Sequence, residues 1–271
     1  MEIEVQGHSG CQISISQENN TLFVLKGTNN ISYIPRLIKQ AEKQKNYSQE
    51  EGFKIQIPQI FSIVNEASNC IIKMEYVYAL NFIDFFERSG QKAINKFYCT
   101  LKEFIEWEIS HSSLTEIPYT IIQHKFENIK ETIAQNQLLQ NDQDIALLLK
   151  KSASFFERPG MIYIPIGKCH GDLTLSNILF DGGENYLIDF LDSFIESPLI
   201  DIVKLRQDTA FYWSEKMYTN KYDSLRLHLI LKILDERICK MASQFAWYDQ
   251  YYQTFQLMNF WRIMQLSLIH I

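Results

Sequence analysis

The chain has 271 residues, 46% hydrophobic and 21% charged, with 32 acidic against 26 basic side chains and a net charge of −6. That length accommodates one large domain or two lobes sharing a cleft, and it buries a sizeable core without disulfide or metal staples. The acidic balance excludes a general nucleic-acid grip, which needs a basic surplus, but leaves room for a local basic pocket.

The first segment reads as β-rich. Gly7-His8-Ser9-Gly10-Cys11 is a glycine-containing turn. Its backbone N–H groups suit a phosphate, and a plain loop fits it as well. Gln12-Ile13-Ser14-Ile15-Ser16 alternates apolar and polar residues, Glu18-Asn19-Asn20 is a turn signal, and Thr21 to Lys26 is a second strand. Together they predict a hairpin. A helix is expected from Ser32 to Lys45, with Ile34, Leu37, Ile38 and Ala41 on one face and Pro35 in its first turn. Gln59–Val64 and Cys70–Glu75 read as two more strands, followed by a connector near Glu75-Tyr76-Val77-Tyr78.

From Phe82 to Ser154 the pattern is mostly helical, with no glycine between Gly90 and Gly160. Short strands and turns return over 161–190, and the chain is helical and aromatic-rich from Asp201 onward. Tyr248, Tyr251, Tyr252, Phe255 and Trp261 form a stripe at helical spacing, expected to be core. The lobes predicted are residues 1–76 and 77–271.

Cys11, Cys70, Cys99, Cys169 and Cys239 are scattered, odd in number and without a CxxC pair. That reads as reduced thiols in a cytoplasmic protein. Met1-Glu2-Ile3-Glu4 has no basic n-region or apolar h-region, and no run approaches the roughly 18 apolar residues of a membrane span.

The chemistry concentrates in Cys169-His170-Gly171-Asp172-Leu173-Thr174-Leu175-Ser176-Asn177 and, twelve residues past Asn177, Asp189. Ile178-Leu179-Phe180 and Tyr186-Leu187-Ile188 flank the strong turn Asp181-Gly182-Gly183-Glu184. A hairpin there returns Asp189 to the side of Asp172 and Asn177. Magnesium takes oxygen ligands, usually one or two from protein and the rest from phosphate and water. Asn177 and Asp189 supply such a pair, and Asp172 is left to orient a substrate hydroxyl.

His170-Gly171-Asp172 through Asn177, then Ile188-Asp189-Phe190, resembles the catalytic and metal segments of the aminoglycoside phosphotransferase and choline kinase family. The resemblance implies an α+β, bilobal, protein-kinase-like fold. A small N-terminal antiparallel β lobe with one helix would precede a larger, mainly helical lobe. Relative to the kinase HRD and DFG motifs, Gly171 replaces the arginine and Leu191 stands where a glycine would. The resemblance makes Asp172 the catalytic base, Asn177 and Asp189 the magnesium ligands, and His170 a structural residue. Glu196-Ser197-Pro198-Leu199-Ile200-Asp201 is similar to the family's Pro-x-x-Asp segment, which makes Asp201 a buttress of the catalytic loop.

For ATP, the same resemblance assigns Lys26 to the α- and β-phosphates and Ser9 and Gly10 to the phosphate turn. Glu75 and Val77 become the adenine hinge. Glu42 is the candidate acid partner of Lys26, with Gln40 the alternative at that position.

Only eight residues separate Asp189 from Pro198, too few to seat a polypeptide. A small hydroxyl acceptor is therefore expected: a sugar, amino alcohol or aminoglycoside, with surface-polysaccharide metabolism a credible setting. Asp192 and Trp213 are candidate acceptor contacts, with Tyr212 and Glu215 beside them, a mix that suits an amine. A nucleotide-binding pseudokinase with a regulatory role is the alternative, and a protein kinase a third.

Overall fold

A computed structural model of the protein describes residues 2–5 and 11–267. Five antiparallel strands come first: β1 (Glu2–Val5), β2 (Gln12–Glu18), β3 (Thr21–Thr28), β4 (Ile60–Glu66) and β5 (Asn69–Glu75). Their order across the sheet is β1-β2-β3-β5-β4. The expected hairpin is β2–β3. Its turn residues Asn19 and Asn20 have φ of 48° and 64°, the left-handed pair of a type I′ turn that asparagine tolerates. Ser9 and Gly10 of the glycine turn lie outside the described residues.

Helix α1 (Ile34–Tyr47) follows β3 and runs two residues later than the sequence pattern at each end. Its Ile34, Leu37 and Ala41 bury against Ile60, Cys70 and Ile72 to form the small core of the β lobe. Lys26 lies opposite Ile72 in the β3–β5 register, so the same sheet face carries the lysine toward α1.

The larger part contains α2 (Phe82–Arg88), α3 (Gln91–Ser110), α4 (Thr120–Gln135), α5 (Gln143–Phe156), α6 (Pro198–Thr209), α7 (Ser224–Ala242) and α8 (Ala246–Ser267). The stretch 82–154 is not wholly helical. Strand β6 (Ser113–Pro118) interrupts it and pairs antiparallel with β7 (Met161–Ile166). One large core spans this part, and it also takes in Tyr47 and Ile55 from the first 76 residues. The aromatic stripe of α8 is core: Tyr248, Phe255 and Trp261 are buried, and Tyr251 and Tyr252 pack against them.

The hairpin β8 (Ile178–Asp181) and β9 (Glu184–Leu187) is fixed on both edges. Leu80 and Phe180 exchange two backbone hydrogen bonds of 2.9 Å. On the other edge Gln56 donates to Asn185 and accepts from Leu187. Beneath the hairpin, Phe180 stacks on Phe85 with centroids 4.1 Å apart and meets the edge of Phe97 at 5.0 Å. Those contacts fix where residues 177 and 189 point. Phe180→Ala is expected to cost about 3–5 kcal/mol by the loss of a fully buried aromatic ring, read as a lower urea midpoint with an unchanged m-value.

Candidate active site

Asp172, Asn177 and Asp189 converge as the hairpin requires. Asn177 sits in a single 3₁₀ turn at the entrance of β8. Its Nδ2 donates to the Asp172 backbone carbonyl at 2.8 Å and to Asp172 Oδ2 at 3.0 Å. Its backbone carbonyl accepts from Ile188 at 3.0 Å, which ties the hairpin's entrance to its exit. Asp189 has φ of 59°, an uncommon value for a residue with a side chain. From there its Oδ1 accepts from Lys26 Nζ at 2.7 Å across the cleft. Burial would pull the Lys26 ammonium down, and Asp189 more than reverses that, so its pKa lies above the ordinary lysine value.

Because Asn177 is tethered through its nitrogen, its amide oxygen is the atom turned to the cleft. Asp189 likewise has one oxygen on Lys26 and the other free of any hydrogen bond among the described residues. Two oxygens on adjacent supports are a donor set that magnesium accepts. No group of three or more His, Cys, Asp or Glu among the described residues forms a metal cage, and magnesium does not need one.

The loop that carries Asp172 is held by one face of α6. Asp201 accepts from the backbone N–H of His170 at 2.5 Å and of Gly171 at 2.8 Å. Lys204, one turn on, places Nζ 2.9 Å from Asp172 Oδ1. Asp208, a further turn on, accepts from Leu175 N–H at 2.6 Å and from Ser214 N–H at 2.9 Å. Burial raises the Asp172 carboxyl, but Lys204 outweighs it and leaves the pKa below the ordinary aspartate value. Burial drives Asp208 up to about 6, against the pull of its backbone donors.

Neither Lys204 nor Asp208 was singled out in the sequence. Their signal is the 201–204–208 spacing, which puts all three on one helix face.

His170 is buried and links the two motifs. Its Nε2 donates to the Ile188 carbonyl at 2.9 Å, while Nδ1 accepts from Asp172 N–H at 3.2 Å. Burial lowers its pKa to about 4, so the ring is neutral at physiological pH and positions the loop. Gly171 has φ of +92°, and a Cβ there would collide with the Leu191 carbonyl oxygen. Leu191 N–H in turn donates to the His170 carbonyl at 3.0 Å. The Gly171 departure from the kinase pattern thus follows from the close approach of the Leu191 backbone.

Other expectations need correction. Gln40, not Glu42, lines the small cavity that holds Lys26 and Asp189. Glu42 is exposed and faces a separate groove with Lys39, Lys43 and Glu196. Gln40 is buried with neither amide atom hydrogen-bonded, so α1 offers Lys26 no carboxylate. Glu75 N–H donates to the Gln59 carbonyl at 2.9 Å, so that donor is already used within the sheet. Val77 lies in the connector, half-buried, outside any strand. Asp192 Oδ1 is paired with Arg36 Nε at 3.0 Å in a partly exposed ion pair. Trp213 lies under Lys216, Tyr212 stacks on His228, and Glu215 is bound to His228 and Tyr222. Each of the three thus has a partner among neighbouring residues.

With this geometry in view, comparison with known proteins is informative. Residues 124–220 match the model of the phosphotransferase enzyme family, a span that contains Asp172, Asn177, Asp189 and all of α6. The chain resembles small-molecule phosphotransferases. A protein assigned as a fructosamine-3-kinase from Haemophilus somnus 129PT superposes with a TM-score of 0.59 at 9% identity, over 100% of this chain and 86% of that one. An APH(2″) aminoglycoside phosphotransferase in complex with GDP and kanamycin gives 0.58 at 16% identity, over 97% and 93%. An APH(3″) enzyme from Streptomyces rimosus gives 0.56 at 14% identity, over 98% and 92%.

At these identities the structural likeness is one of fold, and the fold is protein-kinase-like. No curated protein sequence matches the chain significantly. Family match and fold together support a small-molecule kinase. No helix among the described residues is long and apolar enough to cross a membrane.

Beneath the loop, Asp201 faces Glu108, which is fully buried on α3 and accepts from Tyr47 Oη at 3.2 Å. Burial, then Asp201, pushes the Glu108 carboxyl well above its ordinary value and favours its neutral form, while burial raises Asp201 to about 6. A carboxyl whose folded pKa is raised contributes stability below its unfolded pKa and loses it as pH rises toward the folded value. Glu108→Gln, which mimics the neutral form, is therefore expected to gain stability relative to the parent by up to about 1.4 kcal/mol per pH unit above roughly pH 4.3. Urea unfolding of both proteins between pH 5 and 8 checks this, and a constant difference would refute it.

Proposed function

We propose that the protein transfers the γ-phosphate of ATP to a hydroxyl of a small molecule, with magnesium. The observation that carries this reading is the constellation itself. Asp172 is fixed by Asn177 and Lys204, while Lys26 and Asp189 meet across the cleft. The nucleotide-bound neighbours support it: one is described with GDP and kanamycin, another with AMP-PNP and hygromycin B.

In this reading Lys26 contacts the α- and β-phosphates, and Val77 offers backbone groups to the base. Asn177 Oδ1 and Asp189 would hold a magnesium ion, which when bound neutralises charge on the phosphate oxygens. Asp172 accepts a hydrogen bond from the substrate hydroxyl and aims its oxygen in line at the γ-phosphorus. The new bond is hydroxyl oxygen to γ-phosphorus, and the bond broken is between that phosphorus and the β–γ bridging oxygen. The hydroxyl proton passes to Asp172 and on to solvent, and ADP leaves. Lys204 keeps Asp172 ionised for that role and neutralises its charge beside the incoming phosphate.

Asp172→Ala and Asp189→Ala are each expected to lower turnover by about 10³-fold or more, while both variants keep a cooperative urea transition with the parent's m-value. The assay is ATP-dependent phosphorylation of a panel of sugars, amino alcohols and aminoglycosides. Full turnover in either variant would exclude the role given to that residue.

The pH profile offers a second check. With Lys204 in place, the acid limb of kcat/KM falls below the usual aspartate range, because Asp172 must be deprotonated. In Lys204→Met that limb is expected to move up by about 1–3 pH units. An unmoved limb would separate Lys204 from the base.

A nucleotide-binding pseudokinase is the second reading, favoured by the uncharged Gln40 in place of an acid near Lys26. Calorimetric binding of Mg-ATP with no transfer to any panel member would decide for it.

A further inference from the structure

Helix α1 meets the segment that carries Asp189 along one stripe. Arg36, Gln40 and Lys43 stand at i, i+4 and i+7 and share a helix face. Arg36 Nε pairs with Asp192 Oδ1 at 3.0 Å. Lys43 Nζ donates to the Leu191 carbonyl at 2.7 Å and to Glu196 at 2.5 Å. Gln40, the middle residue of the stripe, has neither amide atom hydrogen-bonded, although only 5% of it is exposed.

The surroundings of Gln40 narrow what that amide is for. It lines a cavity of about 10 Å³ together with Lys26 and Asp189. Gln44, the other amide on these walls, already donates to the Pro58 carbonyl at 2.9 Å, and the remaining walls are apolar. Buried polar groups without partners are rare, because an unmade hydrogen bond there is costly. A methionine would fill the same space without that cost. The Lys26 ammonium has three donors, and its one partner is Asp189 Oδ1 at 2.7 Å.

Two acceptors therefore share a cavity with one ammonium, a carboxylate and a neutral amide. Between them the ammonium prefers the charged one, as observed. Asp189 is also the carboxylate that, with Asn177 Oδ1, would hold magnesium. A divalent cation on Asp189 repels the ammonium and reverses the ranking of the two acceptors. A glutamate at position 40 would hold Lys26 in both states. A glutamine yields it in one and takes it in the other.

We propose that Gln40 is a positioning residue whose amide oxygen receives Lys26 when Asp189 turns to magnesium, and keeps the ammonium aimed at the phosphates. In the free protein Lys26 occupies the metal carboxylate, so metal and nucleotide enter together. This rests on the phosphotransfer reading above, and it gives the missing acid of α1 a part in the cycle. Linkage makes the coupling reciprocal: nucleotide raises metal affinity by the same factor with which metal raises nucleotide affinity.

That factor is the ratio of ADP dissociation constants in EDTA and in saturating magnesium, measured by calorimetry on the full chain. Gln40→Met is expected to lower it by about tenfold while ADP affinity in EDTA stays at the parent's value. Gln44→Met, on the same wall, is expected to leave the factor unchanged. In a Lys26→Met background, Gln40→Met is expected to change it no further, because Gln40 acts through the lysine. Should Gln40→Met fail to fold, Gln40→Glu takes its place. There the lysine is held by the new carboxylate, metal alone binds more tightly, and the factor falls too.

A second arm needs no nucleotide. Mn²⁺, which shares magnesium's preference for oxygen ligands, is titrated with spin-resonance detection. Lys26→Met removes the competitor for Asp189 and is expected to tighten Mn²⁺ by about tenfold. Unaltered Mn²⁺ affinity in that variant overturns the proposal. So does a factor that the position-40 variant leaves intact, that Gln44→Met lowers equally, or that Gln40→Met still lowers without Lys26. In each of those cases ADP still binds and the phosphotransfer reading stands. Failure of ADP to bind the parent with or without magnesium would refute that reading, and the role of Gln40 with it.

Discussion

Everything in the cleft depends on one carboxylate. Asp201 accepts two consecutive backbone N–H groups, those of His170 and Gly171, at the bottom of the catalytic loop. Those donors are buried, and an unpaired buried N–H is costly, so the loop has one favourable seat. With the start of the loop fixed, Asp208 fixes its end through Leu175, and Lys204 meets the side chain between them. A single helix face, with charges at 201, 204 and 208, thus sets backbone and base together. Burial and Asp201 push Glu108 toward its neutral form, which relieves the repulsion two ionised carboxylates would have in the core.

Much of this was legible in the chain. The Asp172–Asn177–Asp189 spacing and the glycine turn between two apolar runs dictate a hairpin, and the hairpin dictates the convergence. Local chemistry was enough there. The misses are long-range. β1 is four residues long, and β6 owes its existence to a partner beyond two intervening helices. Glu42 failed on helical phase. Leu37, Gln40, Ala41 and Gln44 share the buried face, and a residue two positions past Gln40 is turned through about 200°. Lys204 and Asp208 look like ordinary helix charges until the loop they grip is seen.

The charge balance shows a related limit. A net −6 describes the whole surface and says little about one cleft. Kinase-like folds hold nucleotide, metal and base in a shared frame, while the acceptor is met by helices that vary freely around it. Likeness to aminoglycoside enzymes at 16% identity or less therefore carries the frame across and leaves the acceptor to be read from this chain's own side chains.

The Gly171–Leu191 contact has a bearing on control. Protein kinases are silenced by swinging the phenylalanine of the metal segment out of its packed position. Here Phe190 is buried against His170 and Tyr47, and the Leu191 carbonyl is clasped by Lys43 at 2.7 Å while its N–H is held by the catalytic loop. Withdrawing that segment means breaking several buried contacts at once. Any resting position of that kind would forfeit all of these contacts together.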